Sequence, residues 1–149
     1  MREHAIFTTG GHILHLVQVA GNRHDVNGLY ALLRDSFRGH LVGDNAYWPK
    51  EEKRNALAER GVTITAATRS NWTVESTSEE KALLKQRGKI ERFIGLLDRQ
   101  FHAHRTLNRS RRHYEARRWT KAAAHNAARL LNNRLALPSE AYQHFHLAA

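Results

Sequence analysis

The chain has no cysteine, which excludes a disulfide framework and a thiolate zinc site and suits a reducing cytoplasm. It has no long apolar run either. The opening Met1-Arg2-Glu3-His4 leads into a mixed stretch, and no window reaches the length needed to cross a bilayer, so a soluble cytoplasmic protein with no membrane partner is expected. Acid is scarce in the second half: residues 1–80 hold nine basic and ten acidic side chains, whereas residues 81–149 hold fifteen and four. The whole net charge of +10 therefore comes from the second half. An excess so placed suits a polyanion, because each phosphate neutralised by Lys or Arg releases condensed counterions. Arginine outnumbers lysine 11 to 4 there, and its planar fork matches phosphate better than an ammonium does. A well-solvated helical surface is the plain structural alternative.

What is present is enough for one globular α/β domain: 149 residues with 41% hydrophobic content. Residues 4–9 and 12–20 read as two strands joined by a tight turn at Gly10-Gly11. Asp25 is suited to cap a helix over 26–36 whose apolar face is Leu29, Leu32 and Leu33. A third strand over 40–43 ends at Asp44. Pro49 suits the first turn of a helix that stops at Gly61, and the β-branched run 62–67 is a fourth strand. The polar stretch 68–78 reads as a loop. Ser78 is a candidate cap for a long helix over 79–101, with Leu83, Ile90, Ile94, Leu97 and Phe101 at helical spacing. After a connector over 102–109, a second long helix over 110–135 offers Tyr114, Trp119, Ala123, Leu130 and Leu131 as buried positions and ends before Pro138. The tail to Ala149 has no clear period.

Two acidic residues in different settings stand out. Asp44 follows a short apolar run at the C-terminal end of a strand, where α/β proteins place ligands. Glu91 lies in Arg87-Gly88-Lys89-Ile90-Glu91-Arg92-Phe93, inside a basic helical pattern. With Leu83 set at zero on a wheel of about 100° per residue, Phe101 returns to zero, Ile94 falls at about 20° and Glu91 at about 80°, beside the expected buried stripe. Carboxylates from a strand end and a neighbouring helix can hold a divalent cation that polarises a phosphodiester. Taken singly, Asp44 could be a turn residue and Glu91 a solvated partner of Arg87.

This ordered series resembles the DDE insertion-sequence transposases of bacteria, which have an RNase H-like fold. Asp44-Asn45-Ala46-Tyr47 is similar to the family's Asp-x-Gly-Tyr after its second acidic residue, with Ala46 in place of glycine. Glu91 with Arg87 four residues before it matches the third acidic residue and its preceding arginine. Gly21-Asn22-Arg23-His24-Asp25 looks like the Gly-x-x-His-Asp loop, and Thr68-Arg69-Ser70-Asn71 like the Arg-containing segment after the next strand. The likeness runs from about Gly10 to Asn133. It departs at Leu84, where a tyrosine is usual, and at Asp98, where a lysine is usual, with Arg99 beside it. The family's first catalytic aspartate lies on an opening strand, and none of Asp25, Asp35 or Asp98 occupies that place.

The resemblance implies a single truncated transposase catalytic domain over 1–149. Its fold would be partial RNase H-like α/β: a mixed sheet with flanking helices, two long C-terminal helices, and the first strand missing. It implies metal-dependent phosphodiester cleavage and strand transfer, with Asp44 and Glu91 holding Mg2+ or Mn2+ and Arg87 orienting a carboxylate or phosphate. The implied partner is DNA, as transposon ends and target, and a homodimer is a further one. Trp48, Arg69, Trp72, Lys85, Lys89, Arg92, Arg99, Arg105, Arg109, Arg111 and Arg112 are the expected DNA contacts. Trp119 is expected in the core, and Arg117 and Arg118 extend the basic cluster. With two of three carboxylates, a chain that is inactive alone, or completed by sequence from another reading frame, is expected. A DNA-binding remnant without catalysis and a structural α/β protein are the rival readings. His102-x-His104 and His144-x-His146 lack the wider spacing of a zinc site.

Overall fold

In the computed structural model, residues 2–33, 36–66, 77–102 and 110–138 are described. Four strands and five helices follow in the order β1 (Arg2–Phe7), β2 (Ile13–Val19), α1 (Asp25–Leu32), β3 (Gly39–Gly43), a 3-10 turn (Asn45–Tyr47), α2 (Glu51–Glu59), β4 (Val62–Ala66), α3 (Ser78–Gln86), α4 (Gly88–Phe101) and α5 (Arg111–Arg134). The class is mixed α/β, and the strands form two small sheets, β1 with β2 and β3 with β4. The chain divides into two compact units, Met1–Ala5 with Leu16–Gly88, and Ile6–His15 with Lys89–Ala149. The β1–β2 hairpin lends its open end to the first and its tip to the second.

In the first unit, β3 and β4 run parallel, in register from Gly39 against Val62 to Gly43 against Ala66. β4 carries the burial, with Val62 and Ala66 almost wholly covered, while β3 stays exposed or half-buried throughout. Helix α1 buries Leu29 and Leu32, followed by Leu33, as its spacing requires. Asp25 is not its cap: His24 holds that position without a side-chain bond, and the Asp25 carboxylate instead accepts from Arg2 Nη1 at 2.9 Å. Pro49 lies before α2, whose N-cap is Lys50, and is itself fully buried.

The long helix expected over 79–101 is two helices. Thr77, one residue earlier than expected, caps α3 with a reciprocal Thr77–Glu80 capping box, and the helix ends at Gln86. Arg87 is a turn residue between α3 and α4. Gly88 follows, and a glycine inside a helix adds backbone freedom that weakens it at that point.

The second unit has a core of Phe93 and Leu96 packed with Phe7, Phe101 and Ala128. The Phe7 and Phe93 rings stack with centroids 6.1 Å apart. Helix α5 joins this unit by a face opposite to the one its apolar residues suggest. Ala122, His125, Arg129 and Asn132 are buried, while Trp119, Leu130 and Leu131 are exposed, and Ala123 with them. The reason lies in the hairpin tip, whose edge presents backbone groups that need partners once covered. His125 Nε2 is 2.8 Å from Gly11 O. Asn126 takes both groups of Ile13, its Oδ1 accepting from the backbone N–H and its Nδ2 donating to the carbonyl, each at 2.8 Å. The Arg129 guanidinium lies over the Phe93 ring, 4.7 Å from its centre. A leucine face could satisfy none of these backbone groups. The edge of α5 that carries His125 and Asn126 therefore turns toward the hairpin tip.

Candidate active site

Strand β3 ends at Gly43, and Asp44 takes an extended conformation as the N-cap of the 3-10 turn. Its Oδ1 accepts from Asn45 N at 2.6 Å, while Tyr47 N donates to the Asp44 carbonyl at 2.9 Å. One carboxylate oxygen is thus used to close the turn. The other, Oδ2, lies 3.9 Å from Arg87 Nη2, and the side chain keeps about half of its surface open (49%). Arg87 reaches this point because α3 packs on β4 and β3 and ends where the strand pair ends. Two residues singled out from separate motifs, 43 positions apart in the chain, are therefore brought together. At 3.9 Å and half exposed, the pair is a loose electrostatic contact rather than a bidentate lock.

Beneath the turn sits a buried histidine. His4, almost wholly covered, shares a 2.6 Å hydrogen bond through Nδ1 with the Tyr47 hydroxyl, and the two rings meet edge to face at 5.6 Å. Burial pushes the His4 pKa below its ordinary value of 6.5, with Asp25 pulling it partly back. Burial pushes the Tyr47 hydroxyl up, aided by the negative charges of Asp25 and Asp44. Neither residue was singled out from sequence as a site residue. Tyr47 is visible in the Asp44-to-Tyr47 motif, but no local pattern ties His4 to a partner 43 residues away.

Other expected contacts are distributed unevenly. Trp48 is half-buried and carries the Arg54 guanidinium over its ring at 4.8 Å, so one face of the indole already has a cation on it. Lys85, Lys89, Arg92, Arg99, Arg111 and Arg112 are all exposed, and Arg111 Nε donates to Glu115 Oε1 at 2.6 Å. Arg92 and Arg99, seven residues apart, share one face of α4. Arg69, Trp72, Arg105 and Arg109 lie outside the described residues. Trp119, expected in the core, is 45% exposed.

Glu91 lies in the first turn of α4 and is exposed. It does not border the buried stripe. Phe93, Leu96 and Leu97 centre that stripe at about 270° on the wheel described above, so Glu91, at about 80°, lies on the opposite face with the 47% exposed Ile94 nearby. The expectation placed Ile94 inside because it took 79–101 as one helix with one apolar line. Phe93 and Leu96, which contact the hairpin tip's Phe7, set the rotation instead.

Asp44 and Glu91 offer hard carboxylate oxygens, the donors that Mg2+ and Mn2+ take. Among the described residues there is no group of three or more His, Cys, Asp or Glu able to hold a metal ion. No helix among them is long and apolar enough to cross a membrane.

A family model described as Transposase DDE domain matches residues 1–127. No curated protein and no solved structure matches the chain.

Proposed function

Because the chain belongs to the transposase DDE domain family, whose substrate is DNA and whose chemistry depends on Mg2+ or Mn2+, we propose that it takes part in metal-dependent cleavage and strand transfer of DNA. Asp44 and Glu91 serve as the second and third acidic residues. The observation that carries this reading is the meeting of Asp44 and Arg87 at the C-terminal end of a parallel strand pair. The turn uses one carboxylate oxygen of Asp44, and the Arg87 guanidinium faces the other.

When bound, the metal supplies Lewis acidity toward a phosphodiester and toward an attacking water or 3′-hydroxyl. The chain's own residues do the rest. Asp44 presents Oδ2 while Oδ1 holds the turn. Arg87 lies beside that carboxylate, and a guanidinium suits a phosphate oxygen. Lys85, Lys89, Arg92, Arg99, Arg111 and Arg112 neutralise backbone phosphate, which positions DNA without reading its sequence.

A second reading, DNA binding without cleavage, is favoured by the lack of a three-residue ligand group among the described residues. Two carboxylates hold a metal weakly. One experiment separates the readings. The purified chain is mixed with labelled duplex DNA between about 50 and 200 mM salt, and affinity should fall on the order of a hundredfold if about four phosphates are neutralised. Strand cleavage in Mg2+ or Mn2+ that disappears in Asp44→Ala supports the first reading; binding with no cleavage in either protein supports the second. Salt-independent binding would sink both.

A further inference from the structure

The Asp44 turn is held by something other than its own packing. The 3-10 turn is three residues long and none of them is buried. Such a turn closes with two backbone bonds, Tyr47 N to Asp44 O at 2.9 Å and Trp48 N to Asn45 O at 3.1 Å. Short 3-10 pieces are weak on their own. The Tyr47 amide donates to the Asp44 carbonyl, and the Asp44 carboxylate accepts from the amide between them, at Asn45. Whatever fixes Tyr47 therefore holds the turn that presents the carboxylate.

We infer that His4 and Tyr47 form a positioning pair for Asp44, in which the buried imidazole holds the tyrosine hydroxyl and the tyrosine holds the turn that presents the carboxylate. The inference rests on the reading of Asp44 as a metal ligand. Three observations carry it. The His4 Nδ1 to Tyr47 hydroxyl bond is 2.6 Å, and the rings meet at 88°. The His4 ring is seated on Gly28 of α1, where an added Cβ would come within 2.3 to 2.6 Å of three ring atoms. The slot was therefore cleared down to backbone for this ring. Finally, His4 Nε2 is buried with no hydrogen-bond partner. An apolar ring would fill the same slot without stranding a polar atom, so the histidine is justified by its other nitrogen, the one on Tyr47.

The surrounding charges agree. Burial disfavours both the charged imidazole and the phenolate, which keeps the two partners neutral and the bond intact near neutral pH. Asp25 and Glu3 face His4 with one sign and Arg2 with the other, and Asp25 and Asp44 face Tyr47.

The test uses the full chain and four variants: Tyr47→Phe, His4→Phe, the double variant, and His4→Asn, which restores a polar group near the Nδ1 position. Hydrogen exchange at the Tyr47 and Trp48 amides reads the turn, and a Mn2+ titration reads the ligand. Both single variants should speed exchange at those amides and weaken Mn2+ about fivefold, the worth of one ordinary hydrogen bond. The double variant should do no more than either single one, because both cut the same bond, and His4→Asn should recover part of the loss. Unchanged exchange in Tyr47→Phe overturns the inference. Asp44→Asn is the reference for the reading beneath it. If it loses Mn2+ while Tyr47→Phe and His4→Phe keep full affinity, the inference alone falls. If Asp44→Asn also keeps Mn2+, the ligand reading falls and the positioning role with it.

Discussion

The two units of this chain use buried histidine in opposite ways. In the first, His4 is enclosed between Gly28 and Tyr47 and spends its one hydrogen bond on a side chain three residues from Asp44. In the second, His125 is wholly buried and spends its bond on the Gly11 carbonyl at the hairpin tip. The first histidine holds a tyrosine side chain in a turn, and the second holds backbone. The charges around them differ as well. His4 has Asp25 and Glu3 opposing the effect of burial, whereas at His125 the bond to Gly11 opposes it and Arg129 and His12 add to it. What this teaches is that burial disfavours a proton on both histidines, with like charge adding to it at the second and carboxylates opposing it at the first.

Breaking the hairpin tip should have the largest effect. Gly11 has φ of +81°, and a Cβ there would lie 2.6 Å from two atoms of the Phe93 ring and 2.8 Å from Arg129. Gly11→Ala should therefore cost about 2 to 5 kcal/mol, from roughly 1 to 2 of backbone strain and 1 to 3 of overpacking, read as a shift in urea midpoint. Gly28→Ala, which drives a methyl into the His4 ring, should cost roughly 2 to 3 kcal/mol without backbone strain, and its exchange changes should centre on the Asp44 turn. Equal, chain-wide effects from both would erase the distinction between the units.

Acid sharpens the comparison further. Unfolded, each histidine takes a proton near pH 6.5; folded, His125 takes one only at lower pH. The unfolded chain then binds the proton first, so the stabilisation is complete above about 6.5 and is lost as pH falls through the folded value. His4 acts in the same direction with carboxylates opposing it. Exchange measured from pH 7.5 down to 5 should therefore open the amides of α5 and the hairpin tip before those of α1 and β4. The reverse order would contradict the contrast drawn between the two sites.

The smallest effects belong to the surface. Arg87→Ala should change stability by no more than about 0.5 kcal/mol, because its pair with Asp44 is long and half exposed, while weakening Mn2+ or DNA binding. Trp119→Ala should also fall within about 0.5 kcal/mol in a thermal melt. A loss of several kcal/mol there would return Trp119 to the core and reverse the orientation of α5.

Much of this was legible from the residues. The Gly10-Gly11 turn, the α1 leucines, the strand ending at Asp44 and the helices at either end of the basic half follow from periodicity and turn chemistry, which are local. The resemblance gave Arg87 a part in orienting a carboxylate or phosphate without saying which, and its contact with Asp44 required α3 to pack on the β3–β4 pair. The helix break at Arg87 was signalled by Gly88, whose weak helix propensity an apolar pattern running across it conceals. The role of His4 was not legible, since its partner lies on a turn 43 residues on.

By itself, the sequence determined the α/β class, the order of the elements, the placing of positive charge in the second half and the membership of the transposase DDE domain family, because each depends on short-range pattern, composition or an ordered motif series. Only the tertiary structure decided which faces turn inward. Helix α5 hides His125, Arg129 and Asn132 and exposes Leu130, Leu131 and Trp119, and on the inward side His125 and Asn126 meet the demand of covered backbone groups at the hairpin tip for hydrogen-bonding partners. That demand exists only once the hairpin and the helix have met.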